Sequence, residues 1–262
     1  MFAWAGIGIS RIPRVPFGRI IQNRPPPFTS EINVLALCIR DAIRRHAAAG
    51  ASPDTFQVIQ IGAYDGIALD PVRPLLIQAK LPGLLVEPQP DVFQRLRQNY
   101  HGYSNVVLEQ VAISSREGLL PLYRFRTDGN VPLPEHAKLL TSFSRSVLSE
   151  NAKHHGMRGE IEELHVRALP VMSLLKMHHI DQVGLLQIDT EGYDYEVIKT
   201  VDFSRLKPIV INFEDGSLTA TDRNECLSML YSHGYKLMKY GGDVVAYLQA
   251  DEDSLPEQRI FQ

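Results

Sequence analysis

The chain has 262 residues, of which 44% are hydrophobic and 22% are charged, and its formal net charge is −3. This composition is typical of a globular protein with one large core, and the small charge gives no general electrostatic reason to bind nucleic acid or an anionic membrane. No segment approaches the roughly 20 apolar residues that a membrane span needs. Cys38 and Cys226 lie far apart in apolar segments, which favours two buried thiols and a reducing, cytoplasmic location.

A proline run, Pro25-Pro26-Pro27, is the clearest break near the start of the chain, and a helix is predicted to begin close to Ser30. We interpret residues 1–50 as a basic N-terminal arm with a helical appendage, and we expect any homo-oligomer to form through this arm. Residues 51–262 are predicted to form the main domain.

From residue 56 onward, short apolar runs alternate with segments of helical periodicity. This alternation predicts an α/β fold, with a mostly parallel sheet covered by helices on both faces. Gly241-Gly242-Asp243 is a hairpin turn, so the last two strands are predicted to be antiparallel. Strands are predicted at 56–61, 84–87, 105–112, 119–125, 166–169, 183–189, 209–214, 235–240 and 244–249, and helices at 66–80, 90–100, 172–177, 193–200 and 221–233.

Residues 126–165 interrupt this pattern. They are rich in polar residues, proline and histidine and have no clear sheet periodicity. Long loops in compact domains are usually functional or mobile, so we interpret this segment as an insert that covers the substrate as a lid.

The strand at 56–61 runs into the loop 62–66, in which two glycines are spaced G-x-x-x-G. Tyr64 occupies the position of the second glycine of a dinucleotide-binding loop, where a side chain would hinder a pyrophosphate. Asp65 makes the loop acidic, which suits a cation, and Glu87 ends the next strand, where an acid can accept both ribose hydroxyls. A ligand with an adenosine, free ribose hydroxyls, no phosphate and a positive centre is S-adenosylmethionine.

Acids follow most of the predicted parallel strands. Asp65, Glu87, Asp189 and the pair Glu214-Asp215 lie near four strand ends. Each of them has an ordinary alternative role as a helix cap or a solvated strand end. Because ligands of open α/β sheets bind at the carboxyl edge of the strands, the presence of all of them at this edge favours a ligand site.

Four segments together resemble the FkbM family of class I S-adenosylmethionine-dependent methyltransferases over roughly residues 55–215. They are the loop 60–66, Val86-Glu87-Pro88, Val111-Ala112-Ile113 and, most specifically, the run Leu186-Gln187-Ile188-Asp189-Thr190-Glu191-Gly192-Tyr193. The resemblance implies a Rossmann-like, seven-stranded sheet with a reversed terminal hairpin. It also implies methylation of a hydroxyl on a sugar, a polyketide or another small molecule such as a secondary metabolite.

The resemblance also suggests roles for individual residues. Gln60 replaces the acid that usually opens the first motif, so its contact with the amino-acid end of the cofactor is expected to be weak or mediated by water. The expected cofactor-binding residues are Gln60, Gly62, Ala63, Tyr64, Asp65, Gly66, Glu87, Pro88, Ala112 and Asp189.

Two ways of activating the acceptor hydroxyl remain open, since an alcohol must lose its proton to a base or a metal. Asp189, Glu214 and Asp215 resemble the magnesium-binding carboxylates of some sugar O-methyltransferases, and oxygen ligands suit Mg²⁺. The alternative is a base, for which Glu191 and two histidines of the insert, His154 and His155, are the candidates.

Two other functions are compatible with the fold. A nicotinamide-dependent oxidoreductase is disfavoured by Tyr64, which occupies the position of the second glycine of the dinucleotide-binding loop. A protein that binds the cofactor without turnover is conceivable because Gln60 replaces an acid, although the intact run at 189–192 argues against it.

Overall fold

The computed structural model describes residues 33–68, 70–126, 140–154 and 159–248. The predicted N-terminal arm lies outside the described residues. In chain order the strands are β1 (Val58–Ile61), β2 (Gly83–Val86), β3 (Val106–Glu109), β4 (Ala112–Ile113), β5 (Gly118–Phe125), β6 (Thr141–Ser142), β7 (Ile161–Leu169), β8 (Leu185–Ile188), β9 (Val210–Glu214), β10 (Tyr235–Tyr240) and β11 (Asp243–Leu248). The helices are α1 (Val34–Ala48), α2 (Arg73–Ile77), α3 (Pro90–Asn99), α4 (Arg145–His154), α5 (Val171–Met177), α6 (Asp194–Ile198) and α7 (Ala220–Ser232).

The main sheet has seven strands in the order β10-β11-β9-β8-β1-β2-β3. The five strands from β9 to β3 are parallel, whereas β11 is antiparallel to both of its neighbours. Tyr240 pairs with Asp243 across a two-residue turn, as the glycines of the predicted hairpin require. The predicted fold class, a Rossmann-like sheet with a reversed terminal hairpin, is therefore confirmed.

Both faces of the main sheet are buried, which explains why every residue of β1, β2 and β8 is buried and why these strands are mostly apolar rather than alternating. Helix α1 covers one face, where Leu35 and Ile39 belong to the same buried cluster as Val58 of β1. Arg45 also donates hydrogen bonds to the hydroxyl of Tyr247 at 2.8 Å and to the carbonyl of residue 248 at 3.0 Å. The helix of the predicted appendage is thus packed into the core of the main sheet.

A second sheet lies beside the main sheet, and we call it the accessory sheet. It contains β4, β7, β5 and β6 in that order. The prediction of one strand over 105–112 was wrong, because the chain leaves the main sheet after Glu109 and β4 pairs with residues 168–169 of β7. The predicted insert likewise contains β6, α4 and the start of β7. Hydrophobic periodicity detects a strand but not the sheet that it joins.

The predicted helix over 66–80 is also largely wrong, because α2 is the only helix among the described residues of this region. Pro71 and Pro74 explain the difference. Each proline lacks an N–H donor and disfavours helical geometry in the preceding residue, so a helix can contain Pro74 only in its first turn. Asp70 supplies the start signal instead, because its Oδ1 accepts hydrogen bonds from the N–H groups of Val72 and Arg73.

Among the helices of the described residues, none has the length and apolar character needed to cross a bilayer.

The loop after β1 passes very close to the end of β8. Gly62 has a φ of +81°, and a Cβ atom added to it would lie 1.8 Å from the carbonyl oxygen of Asp189. The N–H groups of Gly62 and Ala63 both donate to the carbonyl of Val86, at 3.0 and 2.9 Å. Only glycine fits at this point, because it alone combines the left-handed backbone with the missing side chain.

We therefore expect Gly62→Ala to destabilise the fold by at least about 3 kcal/mol, from backbone strain plus overpacking. Gly102→Ala is the matched control. Its φ is +89°, but no atom lies within 4 Å of an added Cβ, so it should lose only about 1–2 kcal/mol. The free energies of unfolding in urea measure both effects, and equal losses in the two variants would contradict the close approach to Asp189.

Candidate active site

A cleft with an empty volume of about 400 Å³ opens at the carboxyl ends of β1, β2 and β8, where the accessory sheet meets the main sheet. One wall comes from strand ends and the other from the accessory sheet. The ring of Phe143 contacts that of Tyr193 edge to face at 5.1 Å, which joins the two walls. The lining residues are Ile61, Val86, Pro88, Val111, Ala112, Ile113, Leu122, Thr141, Ser142, Phe143, Thr190 and Tyr193.

Glu87 is buried at the end of β2, with 3% of its surface exposed. Its Oε2 accepts a hydrogen bond from the N–H of Tyr64 at 3.0 Å, and Oε1 accepts one from the N–H of Gln89 at 2.9 Å. Burial raises the pKa of Glu87 to about 7, and these N–H donors oppose the increase. Each oxygen keeps a second lone pair, and the flanking residues Val86 and Pro88 line the cleft. The carboxylate therefore lies next to the cleft and has capacity for further hydrogen bonds.

The loop 62–66 lies next to Ile61 of the cleft. Tyr64 has a φ of +47°, and its ring lies under the guanidinium of Arg95 at 5.1 Å. The Oδ1 of Asp65 accepts hydrogen bonds from the N–H groups of Ile67 and Ala68, both at 2.9 Å. Asp65 thus caps a turn, which corresponds to the alternative role as a cap that the sequence allowed for this acid.

Gly66 and Gln60 have structural contacts at either end of this loop. A Cβ atom on Gly66 would lie 2.4 Å from the ring of Tyr100, so the loop packs tightly on α3. The side-chain amide of Gln60 donates to Asp70 at 3.3 Å. Burial raises the pKa of Asp70, and the hydroxyl of Tyr100 also donates to it. Gln60 and Asp70 therefore form a buried polar contact beside β1.

Asp189 follows β8, and its side chain is exposed in the open part of the site. Its pKa is raised well above the usual value, first because protein displaces water on its inner side and then because other carboxylates are near it. These neighbours are Glu191, Asp194, Glu214 and Asp243.

Glu191 adopts a left-handed backbone, with a φ of +54°. A non-glycine residue in this region is strained and is common at functional sites. Burial raises its pKa to about 7, and the charges of Glu214 and Asp194 add to the increase. A carboxyl group with a pKa in this range meets the requirement for a general base at neutral pH.

Asp194 is fully buried at the start of α6, and the sequence interpretation did not single it out. Its Oδ2 accepts hydrogen bonds from the hydroxyl and N–H of Thr190, at 2.8 and 3.2 Å, and its Oδ1 accepts one from the N–H of Glu214 at 3.1 Å. Burial raises its pKa to about 6 despite these donors. Asp194 therefore ties the loop after β8 to the end of β9. A polar residue in the first turn of a helix was the available signal.

The three carboxylates of the predicted magnesium site have different surroundings. Asp215 is buried and forms ion pairs with Lys239 and with Arg223, the latter at 3.3 Å. Glu214 accepts a hydrogen bond from the hydroxyl of Ser217 at 3.0 Å, while Asp189 remains open to solvent. Among the described residues, no group of three or more His, Cys, Asp or Glu side chains is arranged to hold a metal ion. The described residues do not support the magnesium site.

The two histidines that were predicted as alternative bases, His154 and His155, have no described side-chain surroundings. His154 is the last residue of α4, and its side chain lies outside what the structure describes; His155 lies outside the described residues altogether. Of the predicted cofactor residues, Pro88 and Ala112 line the cleft directly, and Gln60, Ala63 and Glu87 are buried beside it.

The family model described as the methyltransferase FkbM domain matches residues 60–237, which is more than half of the chain. The chain belongs to the FkbM methyltransferase family. The resemblance carried by the loop 60–66 and by the run 186–193 is therefore confirmed. In this FkbM methyltransferase, both segments meet at the edge of the cleft. No curated protein sequence matches the chain.

Solved methyltransferase structures are similar to the chain at low sequence identity. Precorrin-6y C5,15-methyltransferase from Geobacter metallireducens is 15% identical, with 85% of this chain and 88% of that chain covered and a TM-score of 0.37. An RNA methyltransferase from Salinibacter ruber, in complex with S-adenosyl-L-homocysteine, is 12% identical, with coverages of 89% and 97% and a TM-score of 0.36. Ribosomal protein L11 methylase from Lactobacillus delbrueckii subsp. bulgaricus is 11% identical, with coverages of 86% and 88% and a TM-score of 0.34.

The raised pKa of Glu191 predicts a pH-dependent stability. Its folded-state pKa of about 7 lies above the ordinary value of 4.5. Between these values the folded protein retains a proton that the unfolded chain has released, so the free energy of unfolding falls as the pH rises. Glu191→Gln removes this penalty and should stabilise the protein by about 1–2 kcal/mol at pH 8, after discounting for solvent contact, and by little at pH 4.5.

Urea denaturation at both pH values measures this difference. Glu117→Gln, at an exposed loop position, serves as the control and should change stability equally little at both. A Glu191→Gln variant that is no more stable than the wild type at pH 8 would show that the carboxylate is not held in an unfavourable environment.

Proposed function

We propose that the protein transfers a methyl group from S-adenosylmethionine to a hydroxyl of a neutral small molecule, such as a carbohydrate or a secondary metabolite. The observation that carries the proposal is the Glu87 carboxylate, which is buried at the end of β2 and held by two N–H groups beside the cleft. A carboxylate in this position suits the two adjacent hydroxyls of a ribose.

The rest of the cleft fits the cofactor in chemistry. Pro88 and the run 111–113 form an apolar wall suited to an adenine ring. Asp189 lies across the sheet edge from Glu87, where a negative side chain suits a positive centre. S-adenosylmethionine, when bound, supplies an electrophilic methyl group on a positively charged sulfur. The protein residues then have to orient the acceptor and remove its proton.

The charge of the site favours a neutral acceptor. The charges of Glu191, Glu214 and Asp243 help to raise the pKa of Asp189, and Glu214 also raises the pKa values of Glu191 and Asp243. The cationic side chains of Lys239 and Arg223 pair with Asp215. This arrangement repels phosphate and carboxylate groups, so it disfavours RNA as an acceptor. A hydroxyl group carries no charge and can approach Glu191, which accepts its proton.

Two expectations about the rest of the chain are also proposals. One is a reducing cytoplasmic compartment, supported by the free, buried thiols of Cys38 and Cys226, whose pKa values burial raises to about 12. The other is the division into a segment 1–50, whose helix α1 packs on the main sheet, and a methyltransferase domain 51–262, in which the accessory sheet and residues 126–165 cover the acceptor.

Calorimetric titration with S-adenosylhomocysteine tests the cofactor assignment. Glu87→Gln should weaken binding by about tenfold to a hundredfold, because the ribose hydroxyls lose a charged acceptor. Glu109→Gln, at the end of the neighbouring strand β3, is the control and should bind within about twofold of the wild type. NAD should not bind to either protein. Unchanged affinity in Glu87→Gln would remove the basis of the proposal.

Methyl transfer to a panel of sugars and polyhydroxylated metabolites tests the base. With an acceptor in hand, the wild-type rate should rise with pH up to about pH 7, as Glu191 loses its proton. Glu191→Gln should lower kcat by about a hundredfold or more and abolish this limb, with cofactor affinity retained. A wild-type rate that is lost in EDTA and restored by Mg²⁺ would instead favour a metal, and the assignment of Glu191 would fail.

A further inference from the structure

The accessory sheet contacts the cofactor side of the site through one buried cation, Arg124 of β5. Only 8% of its surface is exposed. Its Nε donates to Glu162 of β7 at 2.7 Å, and its Nη1 donates to the side-chain oxygen of Gln89 at 3.1 Å and to Asp91 at the start of α3. One guanidinium therefore joins the accessory sheet to the segment that follows β2.

This segment carries the carboxylate of the proposed ribose site. The N–H of Gln89 donates to Oε1 of Glu87 at 2.9 Å, while the side chain of the same glutamine is held by Arg124. The backbone of Arg124 in turn pairs with Thr141 of β6, and Thr141 lines the cleft. A continuous set of contacts thus runs from the accessory-sheet wall of the cleft to Glu87.

We propose that Arg124 is a positioning residue that couples the accessory sheet to cofactor binding by holding Gln89 against the carboxylate of Glu87. The proposal rests on the proposed function, since it assumes that Glu87 binds the cofactor. Arg124 is not one of the residues that line the cleft. It acts through Gln89 and Asp91.

The geometry explains why an arginine suits this position. A planar guanidinium presents five N–H donors in fixed directions, so it can hold three acceptor side chains at once. A lysine has the same charge but is a point donor on a flexible chain. Since both Asp91 and Glu162 are acidic, Arg124 also compensates two negative charges that would otherwise face the Glu87 segment.

The coupling has a measurable pH dependence. The charged groups linked to Glu87 are Asp91 of α3, Arg124 of β5 and, through Arg124, Glu162 of β7. The hydrogen bond from Gln89 lowers the pKa of Glu87, and the charge of Asp91 raises it. Removing Arg124 weakens the first effect and strengthens the second, so both changes keep Glu87 protonated to a higher pH and weaken its acceptance of hydroxyl groups.

The test compares the dissociation constant of S-adenosylhomocysteine at pH 6.0, 7.0 and 8.5 for the full chain and its variants, with thermal melting as a check of folding. Arg124→Met should bind about tenfold more weakly at pH 7.0, with a larger loss at pH 6.0 and only about a twofold loss at pH 8.5, where Glu87 ionises in both proteins. Arg124→Lys should recover part of the affinity.

Arg126→Met is the matched control, because Arg126 is two residues away and also pairs with Glu162, at 3.7 Å. It should bind like the wild type at every pH. Gln89→Ala removes the acceptor while Arg124 still pairs with Asp91, so it should show a smaller loss with the same direction of pH dependence, and it carries the test if Arg124→Met fails to fold.

Wild-type affinity and pH dependence in either Arg124→Met or Gln89→Ala would overturn the inference, as would an equal loss in Arg126→Met. Failure of the proposed function looks different. In that case the wild type does not bind S-adenosylhomocysteine, or Glu87→Gln binds it as well as the wild type does.

Discussion

The carbonyl oxygen of Asp189 occupies the space where any residue other than glycine at position 62 would have its Cβ atom. This contact brings the loop after β1 against the end of β8, and most of the site depends on it. It sets Tyr64 beside Glu87, whose carboxylate accepts the tyrosine N–H, and it brings Asp189 to the same edge. The proposed donor site and the acidic side of the cleft are therefore two consequences of one close approach between neighbouring parallel strands.

Carboxylates are concentrated near the ends of β8 and β9, and they fall into two groups. Asp194 and Asp215 are buried and have partners: N–H and hydroxyl donors for the first, and two cations for the second. Asp189 and Glu191 have no such partners among the described contacts, and the loss of water around the carboxyl groups, together with the charges of neighbouring carboxylates, raises the pKa of both. Acids that stabilise the fold and the acids of the proposed site thus lie side by side, and their hydrogen bonds distinguish them.

The parts that could be predicted from the sequence are those with strong local signals. The buried strands, the glycines of the loop 62–66 and the hairpin at 241–242 identified the main sheet and its carboxyl edge. The accessory sheet could not be predicted, because β4 has two residues and its partner strand is more than fifty residues away. Arg124 was missed for a related reason: its acceptors Gln89 and Glu162 lie 35 and 38 residues away in the chain, and no local pattern records such contacts.

The position of β4 has a consequence for how this enzyme could change its substrate. Ala112 lines the cleft on the proposed adenine side, yet it pairs with Ala168 of the accessory sheet. The walls for donor and acceptor are therefore one piece of structure rather than exchangeable modules. Replacing the accessory sheet to accommodate a new acceptor would also disturb the proposed donor pocket, so acceptor range is expected to diversify by changes at the rim, around residues 141–143, while β4 and its pairing are retained.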